Sequence, residues 1–320
     1  VDLLRASLLE PTFAPDAVER VRQQVLTGLA SDDKDPDELA SREFDKLAYG
    51  DHPYGTSFRG TAESVSALTR DDLVAAQHAV LAKDRLYVGV VGDITPEELG
   101  PLLDKLLGDL PDTGAPLPEA AEVTIPAGVT VIDYDTPQSV ALFGQGGMAQ
   151  DDPDFFAATV LNQILGGGSF ESRLMTEVRE KRGLTYGVYS YLVPRDYAAV
   201  YMGHVASAND RIAEAIAVIR DEWAKAAAEG VTEDELRDAK TFLTGAYPLR
   251  FDGNAPIAQI MVGMQMLGLP IDYIATRNDK VEAVTLADVK RVAGELLDPE
   301  GLQFVVVGKP VGLETGPLPE

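Results

Sequence analysis

The chain repeats itself, and that repeat limits its possible folds more than any other feature. The stretch ESVSALTRDDLVAAQHAVLAKDRLYVGVVGD, residues 63–93, aligns without a gap on DKVEAVTLADVKRVAGELLDPEGLQFVVVGK, residues 279–309. Val65 falls on Val281, Ala67 on Ala283, Thr69 on Thr285, Asp72 on Asp288 and Gly92 on Gly308. Further upstream, VLTGL from Val25 matches FLTGA from Phe242. Two copies about 216 residues apart imply two structural units of one design. The stretch LPDTGAPLPEAAEVTIPAG, rich in proline and small residues, separates them as a linker. The division read from this is a first half over 1–110, a linker over 111–124 and a complete second half over 125–320. If the halves are true duplicates, roughly the first hundred residues of the first copy are expected to be absent. A sheet truncated in this way would expose an edge or a face, and self-association or pairing with another chain is expected there.

Local patterns give the elements. Val18, Val21, Val25 and Leu29 share one helical face after a Pro-Asp start, and a second helix resumes at Pro36 and ends at Gly50. HPYGTSFRGTAES reads as loop. Thr69 reads as the N-cap of RDDLVAAQHAVL, with acids in its first turn. RLYVGVVG is a continuous apolar run and predicts a strand buried on both faces. In the second half, strands are expected over Val129–Tyr134, Gln138–Gly144 and Ala198–Ala206, with helices over Pro153–Leu165, Arg211–Glu229 and from Thr232.

Composition removes several functions. A net charge of −25 makes nucleic acid and anionic membranes poor partners. No apolar run approaches the roughly 18 residues of a membrane span. The absence of cysteine excludes disulfides, thiolate metal sites and a cysteine nucleophile. His52, His78 and His204 are scattered and form neither H-x-x-E-H nor H-E-x-x-H; each reads as structural or solvated. VALFGQGGMA offers G-x-G-x-x-A after a strand, but Asp151, Asp152 and Asp154 follow where a pyrophosphate would dock, which opposes a dinucleotide. Gly166, Gly167 and Gly168 lack the Gly-Lys-Ser/Thr ending of a phosphate loop and read as a tight turn needing positive φ.

What remains is Arg179 and Tyr186 in ESRLMTEVREKRGLTYGVYSYL. Phe170, Leu174 and Val178 form a stripe with Arg179 at its margin, Gly183 ends the helix, and Leu184 and Val188 anchor a following strand. The two residues flank one turn and could converge. On the residues alone, the favoured reading is a surface arginine among Glu177, Glu180, Lys181 and Arg182 and a half-buried tyrosine.

The chain resembles the pitrilysin-type (inverzincin) zinc peptidases, the family of mitochondrial processing peptidase and insulin-degrading enzyme. The resemblance spans nearly the whole chain and is carried by LGGGSFESRLMTEVREKRGLTYGVYS, PTFAPDAVERVRQQVL, HPYGTSFRGTAESVSALTRDDL and RLYVGVVGD. It implies an α+β fold of duplicated processing-peptidase-like halves, with mainly antiparallel sheets covered by helices and an incomplete first half. In such enzymes one half carries H-x-x-E-H and a later glutamate ligand. The other carries an arginine and a tyrosine seven positions apart that contact the substrate backbone and the developing oxyanion; Arg179 and Tyr186 match them. Where active members place Leu-x-Glu or Leu-Glu-Glu, this chain has Leu26, Thr27 and Gly28, which lack that carboxylate ligand. The resemblance therefore implies a non-catalytic homologue, with no cofactor in this chain, that pairs with a homologous zinc-bearing peptidase subunit and a peptide substrate. The alternatives are a scaffold subunit without a proteolytic role, and a fragment of an active zinc peptidase.

Overall fold

The computed structural model describes residues 1–168 and 170–316. In chain order these form helices α1 (Asp2–Leu9), α2 (Pro15–Asp32), α3 (Pro36–Tyr49), α4 (Ala62–Ala67), α5 (Arg70–Val80) and α6 (Pro96–Leu107), then strands β1 (Gly128–Asp133) and β2 (Gln138–Gly146). Helix α7 (Phe155–Leu165), strands β3 (Val188–Arg195) and β4 (Ala198–Ala208), and helices α8 (Ile212–Glu229), α9 (Glu233–Ala246) and α10 (Asn254–Met266) follow. Helices α11 (Tyr273–Ala283) and α12 (Leu286–Leu296) lead into strand β5 (Gln303–Gly308). The repeat is visible in these bounds, since a shift of 216 residues lays α5 on α12 end to end. Both helices begin with the same capping box. The Asp72 carboxylate accepts from the Thr69 N–H at 2.7 Å, and the Asp288 carboxylate accepts from the Thr285 N–H at 2.9 Å.

The chain gathers into two compact units that interleave in sequence: residues 1–31, 59–118 and 249–271, and the described residues of 32–58, 119–248 and 272–320. The second unit holds a five-stranded sheet in the order β1-β5-β2-β4-β3. β1 runs parallel to β5, while the other three pairings are antiparallel. The mixed α/β architecture with a mainly antiparallel sheet is the expected class. β5 is buried along its whole length, in line with the apolar run that follows Gln303. Its side chains alternate between two cores. Phe304 and Val306 join Phe143, Trp223 and Leu161 on the face covered by α7, α8 and α12, while Val305 and Val307 join Phe44 and Ala48 of α3 on the other. Phe143 stacks on Phe304 at 5.3 Å, and the Trp223 ring meets Phe143 edge-on at 5.9 Å.

The first unit differs. Its helices bury Leu29 and Val65, with Ala82 and Leu110 buried beside them, while α1, α5, α6 and α10 bury no residue. The strand predicted for RLYVGVVG does not form: residues 86–92 belong to no ladder among the described residues, and Gly92 is a bend. Tyr87, Val88 and Val90 are 48%, 39% and 38% exposed. A strand exists only through its neighbours, and this unit offers no second extended segment for pairing.

Candidate functional site

The elements around Arg179 are set by the end of α7. The Gly166 N–H closes that helix on the Asn162 carbonyl at 2.9 Å, and the Gly166 carbonyl accepts from the Ser190 N–H of β3 at 2.8 Å. The Ser190 hydroxyl donates to Asn162 Oδ1 at 2.9 Å, so the glycine turn is tied to the sheet edge. Within the triplet, only Gly168 has positive φ, at +82°. Chain direction then reverses into the π-helix Met175–Glu180. Such wide turns are rare in helices and cluster at functional sites. Leu174 and Val178 are fully buried, Met175 nearly so, and together they fix this helix against the sheet. Gly183, at φ +60°, ends it; its N–H returns to the Arg179 carbonyl at 2.9 Å, and the Leu184 N–H reaches the Val178 carbonyl at 3.0 Å. Thr185 holds the next corner by donating to the Ala206 carbonyl at 2.6 Å.

This scaffold brings Arg179 and Tyr186 together. The Arg179 guanidinium lies 5.5 Å from the Tyr186 ring centroid and 5.0 Å from that of Phe170. Tyr186 is 91% exposed and Phe170 66%. Arg179 thus makes cation–π contacts with two aromatic rings. Among the described residues no carboxylate or carbonyl engages its donors, and no group engages the Tyr186 hydroxyl. The nearby acid is occupied elsewhere: Glu177 accepts from Lys181 at 2.6 Å and from Arg182 at 2.7 Å. These two bonds hold the Glu177 carboxyl below its ordinary range. Arg173, six positions before Arg179, pairs instead with Glu235 at 2.6 Å and with the Gly230 carbonyl at 3.1 Å.

Two details differ from the sequence reading. Phe170 does not continue the Leu174–Val178 stripe, because the helix begins after it; it stands in a turn and its ring packs on Arg179. Tyr186 precedes β3, which starts at Val188. Phe170 is therefore the third member of the site, missed because only a boundary shift of a few residues separates a buried stripe position from an exposed turn. The apparent dinucleotide glycines lie inside β2 rather than in a turn after it. Between them, Gln145 accepts from the Trp223 indole N–H at 2.8 Å and from the Asp298 N–H at 3.1 Å, which makes the segment a core feature.

Two of the three histidines are spent locally, and His78 lies exposed on α5. His204 meets Asp37 at 2.6 Å and stacks on Tyr189 at 5.2 Å, while His52 Nδ1 accepts from the Tyr54 N–H at 3.1 Å. At the position where the resemblance places a zinc-ligating glutamate, the Thr27 hydroxyl donates to the Gln23 carbonyl at 2.7 Å and Gly28 has no side chain. Among the described residues no three His, Asp or Glu side chains gather as metal ligands do. The residues present thus do not fit a zinc ion, and no chemical step is assigned to one in this chain.

Comparison with known proteins follows the same lines. The family described as "Peptidase M16 inactive domain" matches residues 67–243. A non-peptidase homolog of Helicobacter pylori is 27% identical over 95% of this chain and 70% of its own length. An uncharacterized zinc protease of Mycobacterium leprae is 31% identical over 93% of this chain and 68% of its own. Among solved structures, a peptidase M16 inactive domain from Pseudomonas fluorescens superposes with a TM-score of 0.88 at 31% identity, covering 97% of this chain and 74% of that one. No helix among the described residues is long and apolar enough to cross a membrane. With a family match over more than half its residues and that structural likeness, this chain belongs to the peptidase M16 inactive-domain family.

Proposed function

We propose that this chain is a non-catalytic subunit that binds peptide and completes the active site of a zinc-bearing homologous peptidase in trans. One observation carries the reading: a guanidinium over two aromatic rings, beside an exposed phenol, with no ion-pair partner among the described residues. A fold has little use for such an arrangement, because an arginine kept for stability is paired, as Arg173 is with Glu235. Arg179 donates to peptide carbonyl oxygens, and the Tyr186 hydroxyl donates to the oxygen that gains charge as the peptide bond is attacked. The two aromatic faces keep the guanidinium oriented without neutralising it. Peptide adds as a strand to a sheet edge, and β3, which begins two residues after Tyr186, is an edge strand.

The test requires a zinc-bearing homologous subunit mixed with this chain and a basic unstructured peptide. Wild-type chain should raise cleavage. Tyr186→Phe should lower kcat about 10²-fold, the usual effect of losing one such donor, with little change in Tm. Unaltered cleavage by Tyr186→Phe and Arg179→Ala, together with early unfolding, would make the pair structural and the chain a scaffold.

A further inference from the structure

The β3 edge carries a second group of side chains that the Arg179–Tyr186 pair does not use. Among the described residues β3 pairs only with β4, which leaves its other side as the edge of the sheet. Part of that edge is already taken, because the Ser190 N–H donates to the Gly166 carbonyl at 2.8 Å. The amide groups of an antiparallel strand turn to the same side at every second residue. Val188 therefore shares the outward side with Ser190 and is the residue left to pair with an added strand. Side chains alternate between faces. Val188 and Ser190 are buried, whereas Tyr189 stands with Tyr191 on the face that α3 covers. There the Tyr189 ring stacks on His204 of β4 at 5.2 Å and on Tyr191 at 6.1 Å. His204 Nε2 lies 2.6 Å from Asp37 Oδ1 in the first turn of α3. Asp37 is exposed, and Tyr189 keeps 43% of its surface in water. Burial, and then the Asp37 charge, push the Tyr189 phenol up, so the carboxylate is close enough to be felt at the ring.

We propose that Tyr189, with His204 and Asp37 behind it, is a subsite for a lysine or arginine side chain of the bound peptide. This subsite rests on the proposed peptide role, in which a strand adds along β3. A strand paired through Val188 sets one residue beside Tyr189 with its side chain on the same face, the two Cβ atoms roughly 5 Å apart. A cationic side chain there lies against the Tyr189 ring, whose negative face attracts it, and extends toward Asp37. A carboxylate is repelled by Asp37 and by the net charge of −25. An apolar side chain gains the ring but not the charge. Arg179 disfavours a cation at the bond under attack. Tyr189 follows Tyr186 by three residues, at most about 11 Å of chain, so the favoured position is about three residues from that bond.

The experiment titrates the chain with extended neutral peptides in which one lysine, norleucine or glutamate is walked along the sequence, and reads binding by fluorescence anisotropy. Cleavage of the same peptides is then measured with the zinc-bearing homologous subunit added. The best lysine peptide should bind about threefold more tightly than its norleucine counterpart, the worth of one exposed cation–π contact. It should bind about tenfold more tightly than its glutamate counterpart, as an exposed ion pair gained against one repelled would give. Tyr189→Leu should remove the preference for lysine over norleucine, and Tyr189→Phe should keep it. Asp37→Lys should reverse the order of lysine and glutamate, which a variant that merely unfolds cannot do. In cleavage the preference should appear in KM and leave kcat in place, because the subsite holds peptide away from the reacting atoms. No measurable binding, or equal binding of lysine and glutamate peptides, overturns the subsite. So does a lysine preference that survives both Tyr189→Leu and Asp37→Lys. In each case cleavage promoted by the chain would still support its role in trans. A lysine preference without promotion of cleavage upholds the subsite and refutes that role.

Discussion

The two units of this chain carry one repeated sequence pattern in two different packing environments. In the second, β5 is buried from end to end and its side chains alternate between two packed cores. In the first, the counterpart segment joins no ladder among the described residues, Gly89 runs close to α10, and Tyr87 is nearly half exposed. The same local sequence pattern therefore yields a strand or a bare segment according to what lies beside it. Burial, and not intrinsic preference, separates the two copies, and the more deeply buried one holds Arg179 and Tyr186.

Substitution of core residues should separate the units most. Phe304 is fully buried and stacked on Phe143, so Phe304→Ala should cost about 3–5 kcal/mol. Tyr87→Ala, at the counterpart of Gln303 beside it, should cost less than about 0.5 kcal/mol, as exposed positions do. Denaturant midpoints followed by circular dichroism and by the fluorescence of Trp223, the sole tryptophan, decide between them; equal losses would erase the distinction.

The next effect is electrostatic. Burial alone would raise the Glu235 carboxyl, but the bonds from Arg173 and Thr232 outweigh it and hold it below its ordinary range. A carboxylate depressed in the folded state stabilises above the unfolded pKa, about 4.3 for glutamate, and loses that contribution as pH falls through the folded value. Stability of the wild type should therefore fall below roughly pH 5. Glu235→Gln should cost about 1–2 kcal/mol at neutral pH and flatten the profile. Glu19→Gln, which removes the exposed carboxylate of the Arg22–Glu19 pair in the first unit, should change it little. An acid profile identical in wild type and Glu235→Gln would contradict the assignment.

The twin capping boxes give a finer contrast. Thr285→Ala should lower global stability by about 1 kcal/mol, because α12 buries Val289, Val292 and Ala293. Thr69→Ala removes the same cap from α5, which buries nothing, and should fray that helix with little shift in the global midpoint. The smallest expected change is at Phe170. Phe170→Ala should leave Tm in place and lower cleavage in trans by up to about fivefold, the worth of one exposed cation–π contact.

Much of this was legible in the sequence. The repeat, the Thr69 cap and the second-unit strands follow from local pattern, whereas the residues alone favoured a surface arginine and a half-buried tyrosine, and Tyr186 is instead 91% exposed beside Arg179. The segment Leu86–Gly92 was not legible, because an apolar run cannot announce whether partner strands exist. Nor was the crosswise use of α3 and α10, each packed within the unit that the other copy's residues dominate, since such pairing is a long-range contact. Phe170 was hidden by a helix start that no capping residue marks, and the π-helical turn by having no compositional sign.

Amide hydrogen exchange on the dilute chain compares the two copies directly, at Phe304–Val307 and at Val88–Val91. The β5 amides should exchange only through global unfolding, while those of Val88–Val91 should exchange at nearly the rate of an unstructured peptide. Equal protection of the two segments would contradict the distinction between a buried, paired strand and an unpaired, half-exposed segment.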